Sequence, residues 1–335
     1  MPGIRGDLGA ARATLESAVW SAIAGRNARA HASATTALVT ITGHSLENVD
    51  AGARWGEHAR AVLQAQGDPP TQLAALEGNL GNVAMTRRDR DAALVHFREA
   101  VRLYEAAFGP EHANVGRMLA NVAVVLRQQG VLDLAEHTHA RAIEILEASL
   151  GPGHPDLGPA LSNWATVLHA RGRFAEALVR YRAALAVGEA SLDAKHPQLG
   201  HAHNNIGETM LDLGDPAGAE QHLRAAIAIW EQALGHRHSL LASPYGLLGR
   251  SLLAQARGDL AIVALEHALS FPTSAVPATV LAEHRFALAQ ALWSRPDERA
   301  RARSLVQNAR VALVDAKSTA RVIAIDTWLS TDAAP

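Results

Sequence analysis

The sequence predicts an all-α fold, a solenoid of antiparallel helix hairpins, and three observations carry that expectation. Identical residues return at a fixed period: Ala93, Ala135, Ala177, Ala219 and Ala261 are each 42 apart, and so are Ala100, Ala142, Ala184, Ala226 and Ala268. A period of this length marks a stacked repeat array rather than a globular enzyme fold. Inside each period, apolar residues fall at steps of three and four, the spacing of one helical face. Alanine fills much of the 48% apolar share while aromatics reach only 4%. Small residues let helices approach closely and stack.

Residues 113–150 show how one period is built. From Asn114 to Gln129, Val115, Met118, Leu119, Val122, Ala123 and Leu126 make one face of a first helix. Gly130 stands where a residue of positive φ closes a helix. A second helix runs from Leu132 to Leu150, with Leu134, Ala135, Ala142, Ile143, Leu146 and Leu150 expected on its inner face. Gly151-Pro152 ends it and His154-Pro155 opens the next period, where proline suits a first helical turn. The short turns force antiparallel packing.

The recurring alanines mark the crossing of the two helices. Gly81, Ala123, Ala165, Gly207 and Gly249 on first helices lie twelve residues before Ala93, Ala135, Ala177, Ala219 and Ala261 on second helices. A leucine at these places would overfill the contact by about 1–3 kcal/mol. Phe97, Tyr181 and Leu223 fill the bulky position between paired alanines, and His139 departs from that rule.

Small residue, alanine, bulky residue, alanine at spacings of 12, 4 and 3 resembles the tetratricopeptide repeat. The junctions Gly-Pro-Glu-His (109–112) and Gly-Pro-Gly-His-Pro-Asp-Leu (151–157), with Gln-Gln-Gly (128–130), are similar to the 42-residue kinesin-light-chain type. The resemblance covers residues 70–270 and implies a right-handed superhelix with a ligand-binding concave groove. Residues 1–69 read as degenerate N-terminal repeats: a decayed hairpin at about 28–66, preceded by an unpaired second helix at about 7–25, so that the array starts mid-hairpin. Residues 271–335 read as a degenerate last hairpin (277–293 and 297–316) and a capping helix (318–330) with Val322, Ile325, Trp328 and Leu329 as its apolar side.

The segment 286–293, Phe-Ala-Leu-Ala-Gln-Ala-Leu-Trp, followed by an arginine- and alanine-rich helix, resembles the carboxy-terminal repeat region of myxobacterial and related bacterial serine/threonine kinases, as does Gly56-Glu57-His58-Ala59. That resemblance implies a regulatory or sensor tail. The kinase motifs themselves, the glycine-rich nucleotide loop, His-Arg-Asp and Asp-Phe-Gly, do not occur in these residues.

First helices line the concave face of a hairpin solenoid. Counting from the small crossing residue selects Asn79 and Asn82; Arg117, Asn121 and Arg127; Asn163; Asn204, Asn205 and Glu208; and Arg250 as a peptide-binding groove. Asn79, Asn121, Asn163 and Asn205 are 42 apart, an odd choice for a weak helix former. An amide can both donate to and accept from an extended peptide backbone. The alternative is that these amides bridge adjacent first helices. Gly78, Ala120, Ser162 and Gly246 are expected to keep the groove open, and Leu247 to end the asparagine ladder.

Other chemistries are weaker. Net charge is −2, from 31 basic and 33 acidic side chains, which speaks against a nucleic-acid binder or a polybasic membrane anchor. The absence of cysteine excludes disulfides, zinc–cysteine sites and cysteine nucleophiles. His112, His154, His196 and His238 recur at one turn, but turns stacked about 10 Å apart cannot share an ion about 2 Å from each ligand; capping or packing is the better reading. His201 and His203 point to different helical faces and form no chelate. The sequence thus predicts no catalytic residues, cofactor or metal, no nucleic-acid or membrane partner, and a cytoplasmic location. It predicts a non-catalytic interaction scaffold for a peptide or partner helix. The rivals are a kinase's regulatory tail and a self-associating module that docks a second copy through the unpaired helix at 7–25.

Overall fold

The computed structural model describes residues 2–272 and 276–331. Sixteen α-helices are found among them: α1 (Pro2–Ala24), α2 (Ala28–Leu38), α3 (Val49–Gln64), α4 (Pro70–Arg87), α5 (Arg90–Phe108), α6 (Ala113–Gln128), α7 (Leu132–Leu150), α8 (Leu157–Ala170), α9 (Phe174–Ser191), α10 (Pro197–Asp212), α11 (Pro216–Leu234), α12 (Ala242–Ala254), α13 (Gly258–Leu269), α14 (Ala278–Trp293), α15 (Arg299–Asp315) and α16 (Thr319–Thr331). A π-helical segment, Val39–Ser45, continues α2. No strand occurs among the described residues. Residues 1–173 and 174–335 form two compact units.

In the first unit α4 packs with α5 and α6 with α7 as hairpins, and α8 packs on α7. In the second unit the hairpins are α10 with α11, α12 with α13 and α14 with α15; α9 lies on α10 and α16 on α15. First helices also touch one another in series: α2 with α4 and α6 with α8 in the first unit, α10 with α12 and α12 with α14 in the second. Gly130 and Gly214 close first helices at φ near +80°, where a Cβ would be strained.

The alanine register is the core. Ala93, Ala135, Ala219 and Ala261 are completely buried, as are Ala100, Ala142, Ala226 and Ala268. The bulky position fits against the small first-helix residue: a Cβ on Gly81 would lie 2.5 Å from the Phe97 ring, and one on Gly207 would lie 2.7 Å from Leu223. In α7 this position holds His139, completely buried, with neither ring nitrogen hydrogen-bonded among the described residues. One expected core residue is not there. Leu134 is 46% exposed, because it lies on the first turn of α7 about 100° round from Ala135, beyond its neighbours' reach.

The first hairpin breaks the register. Regular first helices bury positions equivalent to 39, 41 and 42; here Val39 is buried in phase, but Thr42 and Gly43 follow instead. On α3 the buried residues are Gly52, Gly56, Ala59 and Leu63, each one place after the equivalents of Ala93, Phe97, Ala100 and Tyr104. The cause is the π segment, where Leu46 N–H bonds Ile41 C=O five residues back at 2.9 Å. A π turn takes up one extra residue, which turns everything after it by about 100°. Ala51, which stands 42 residues before Ala93, is accordingly only partly buried. Phase is restored in α4, where Gly81 is buried against Phe97.

Polar bonds tie successive hairpins. In the first unit the residues ending α4, α6 and α8 reach back to an acid on the first turn of the preceding second helix: Arg87 to Asp50, Gln129 to Asp91 and Arg171 to Asp133. With Asp50 and Asp133 more than 80% exposed, each such ion pair contributes tenths of a kcal/mol to about 1. The buried Glu77 carboxylate is different: it accepts from Arg60 of α3 and from His96 of α5 at 2.7 Å. Burial alone would raise its pKa, yet the bonds from His96 and Arg60 hold it below the ordinary value. No helix among the described residues is long and apolar enough to cross a membrane.

Candidate functional site

The asparagines lie on the first helices, where the repeat register puts them, but they do not share one environment. Asn79 on α4 donates its amide to the Thr36 carbonyl of α2 at 2.9 Å. It lines a cavity of about 220 Å3 with Ala32, Ser33, Thr36, Ala37 and Gln72. The Gln72 Oε1 atom is buried there with no hydrogen-bond partner among the described residues. Asn82, one turn on, is half-buried, and its side chain makes no hydrogen bond among the described residues. The same holds for Asn121 on α6 and Asn163 on α8.

The arginines chosen from the sequence serve different ends. Arg117 donates to Asp156 at the start of α8 and to Asn114 on its own helix, both at 2.6 Å, and so binds α6 to α8. The Nε atom of Arg127 is buried without a partner among the described residues. Its charge, after burial, helps push the neighbouring His139 imidazole down to about 4.

In the second unit Asn204 is 8% exposed, and its Oδ1 accepts from Ser243 of α12 at 3.3 Å. Asn205 is half-exposed with its amide unbonded among the described residues, and Glu208 lies one turn further along α10. Arg250 lies 3.9 Å from Glu283 of α14. Asn79, Arg117, Asn204 and Arg250 therefore link neighbouring helices, whereas Asn82, Asn121, Asn163 and Asn205 present unengaged amides.

Two expectations about small and aromatic residues are settled by contact geometry. Gly78 and Gly246 do not open a groove. A Cβ on Gly78 would meet Met118 Sδ at 3.1 Å, and one on Gly246 would run into the His284 ring. Both glycines admit a side chain from the next first helix. The four turn histidines are caps: Nδ1 of His112, His154, His196 and His238 accepts the backbone N–H two residues on, at 3.2–3.3 Å. His201 packs edge-on against Trp230, while His203 faces His222 with Nδ1 atoms 2.9 Å apart.

Gln72 was missed from the sequence although it stands seven residues before Asn79, two turns along the same helical face. That spacing was available; its burial depends on α2, which no pattern in α4 encodes.

The tetratricopeptide repeat family model matches four overlapping stretches, residues 72–148, 116–189, 156–229 and 201–273. Among curated proteins no sequence matches the chain. Solved structures share its architecture at low identity. Aspartyl phosphate phosphatase F from Bacillus subtilis is 15% identical with a TM-score of 0.62, over 87% of this chain and 73% of that one. A Rap protein in complex with competence and sporulation factor is 14% identical with a TM-score of 0.57, over 96% and 98%. BtubC (BKLC) from P. vanneervenii is 18% identical with a TM-score of 0.55, over 69% and 92%. With the repeat register, the buried alanine crossings and the family model agreeing over residues 72–273, more than half of its length, the chain belongs to the tetratricopeptide repeat family.

Proposed function

We propose that the chain is a non-catalytic protein-interaction scaffold that takes an extended peptide or a partner helix on its first-helix face. The observation that carries this is the set of unengaged amides in the first unit: Asn82, Asn121 and Asn163 lie partly exposed on α4, α6 and α8 with no hydrogen bond among the described residues. A half-exposed amide that supports no neighbour is free to pair with a peptide backbone. The bridging residues Arg117 and Asn79 hold the helices that carry those amides. In the second unit Asn205 on α10 carries a like unengaged amide. The structurally similar Rap protein solved in complex with competence and sporulation factor supports a binding role for this architecture.

The test is a peptide selected by display against the full chain. Asn121→Ala with Asn163→Ala abolishes its binding while helicity and melting temperature stay unchanged. A collapse in melting temperature would instead assign these asparagines to the fold.

A second reading, a regulatory tail of a bacterial serine/threonine kinase acting from the cytoplasm, is supported by the likeness of residues 286–293 and the arginine-rich helix that follows. Coding DNA upstream of Met1 tests it: an in-frame kinase catalytic region sustains the reading, and a stop codon next to a ribosome-binding site removes it.

A further inference from the structure

The register slip in the first hairpin has made a pocket. In α5 the residues Ala93, Phe97 and Ala100 are sealed in the core. Their equivalents on α3 are Ala51, Trp55 and His58. Turned by the π segment, these three line a cavity of about 390 Å3 shared with Val19, Trp20 and Ile23 of α1, and Arg54 completes the wall. π-helical turns inside α-helices recur at functional sites.

The lining is unusual for a protein surface. Trp20 is 69% exposed and Ile23 44%, side by side with the half-buried Trp55. Two indoles at an open apolar cavity are what binding hot spots are made of, with arginine the other enriched residue. The Arg54 guanidinium pairs with no carboxylate among the described residues, and no acidic residue lines the cavity. His58 adds an imidazole, its Nε2 3.0 Å from that of His31. The volume falls at the lower end of ligand pockets, roughly 300–1,000 Å3, which suits a side chain better than a large cofactor.

We propose that this cavity, formed between second helices rather than on the first-helix face, is a separate docking site for a protein segment bearing a bulky apolar side chain beside a carboxylate. The apolar side chain enters between Trp20 and Trp55. The carboxylate pairs with Arg54, where one cation without a partner selects an anion.

The experiment pans a random peptide display library against the full chain, with counter-selection on the Trp20→Ala, Arg54→Glu double variant. Synthetic copies of the enriched peptides are then titrated onto the wild type and each single variant. The expected result is a shared motif of an acid next to Leu, Phe or Trp, weakened at least tenfold by Trp20→Ala and by Arg54→Glu and unaffected by Asn121→Ala with Asn163→Ala. Both side chains are exposed or at a rim, so circular dichroism should show unchanged helicity. Arg54→Lys, which keeps the charge, should retain most of the binding. The proposal is overturned if nothing is enriched over the double variant, if the enriched motif lacks a carboxylate, or if Arg54→Glu binds as the wild type does. It is equally overturned if the wild type dimerises with concentration and Trp20→Ala is monomeric, since the occupant would then be a second copy.

Discussion

The hairpins formed by α2–α3 and α4–α5 come from the same 42-residue pattern and are packed in different ways. In α4–α5 a side chain fills the crossing, with Phe97 laid on Gly81. In α2–α3 the backbones themselves meet, Gly43 against Gly52, and no bulky residue lies between them. One extra residue in the π segment accounts for the change. It moves the buried set on α3 one place along, leaving Trp55 half-buried and His58 exposed at the cavity. A repeat can thus acquire a new surface without losing its core, because a single-residue insertion exchanges one helical face for another.

The largest effect expected from breaking this contrast is at the crossing. A Cβ on Gly52 would collide with the Gly43 backbone, which cannot move aside. Gly52→Ala should destabilise by about 3 kcal/mol, the upper end of the usual overpacking range. Gly81→Ala meets the edge of an aromatic ring that can shift, and should lose about 1 kcal/mol. Urea unfolding of the two variants measures the difference; equal losses would mean that the two crossings are mechanically alike.

Next comes the hairpin α6–α7, where His139 takes the place of Phe97. Burial, aided by the Arg127 charge, lowers its pKa to about 4 from an ordinary 6.5. The unfolded chain therefore binds more protons than the native one between those values. Stability is full above pH 6.5, falls as the pH is lowered through that window, and levels off below about 4. At about 1.4 kcal/mol per unit, lowering the pH from 7.5 to 5 costs about 2 kcal/mol through His139. His139→Leu should remove it, leaving the similar contribution of His284, also lowered to about 4 mainly by burial. Melting curves at pH 7.5 and 5 for the wild type and variant read this directly. A parallel shift in both proteins would place the acid sensitivity elsewhere.

A smaller effect is expected at Glu77, which joins the shifted hairpin to the regular one through Arg60 and His96. Arg60 is 42% exposed on its side chain, so removing the carboxylate leaves a charge that water can reach. Glu77→Gln should lose about 1.5 kcal/mol, the lower end of the range for a hydrogen bond to a charged group. Because the folded pKa is depressed, that contribution is present above the ordinary carboxylate range and is lost as the pH falls through the lowered folded value.

These cases also show what a periodic sequence discloses. Ala93, Ala135 and Phe97 were readable as crossing residues because helix contacts repeat whenever the spacing does. The slip at α2–α3 was not readable, since Ala51 keeps the 42-residue spacing from Ala93 while the backbone between them does not. The groove residues were legible as a position but not as a role. Asn79 and Asn121 hold the same place in successive repeats, yet the first faces α2 with its Thr36 carbonyl within reach and the second has no such acceptor. A neighbour from another repeat decides, and single-helix patterns do not carry neighbours.

That pair gives the smallest and most discriminating prediction. Asn79→Ala removes the bond to Thr36 and should lose about 1 kcal/mol, the typical net value of an intramolecular hydrogen bond. Asn121→Ala removes nothing that the fold uses, and replaces a weak helix former with the strongest one, so stability should hold or rise by a few tenths of a kcal/mol. Chemical denaturation of both single variants checks this. Loss of peptide binding in Asn121→Ala at undiminished stability would assign that amide to the ligand, whereas equal destabilisation of the two would make the whole ladder a strut between first helices.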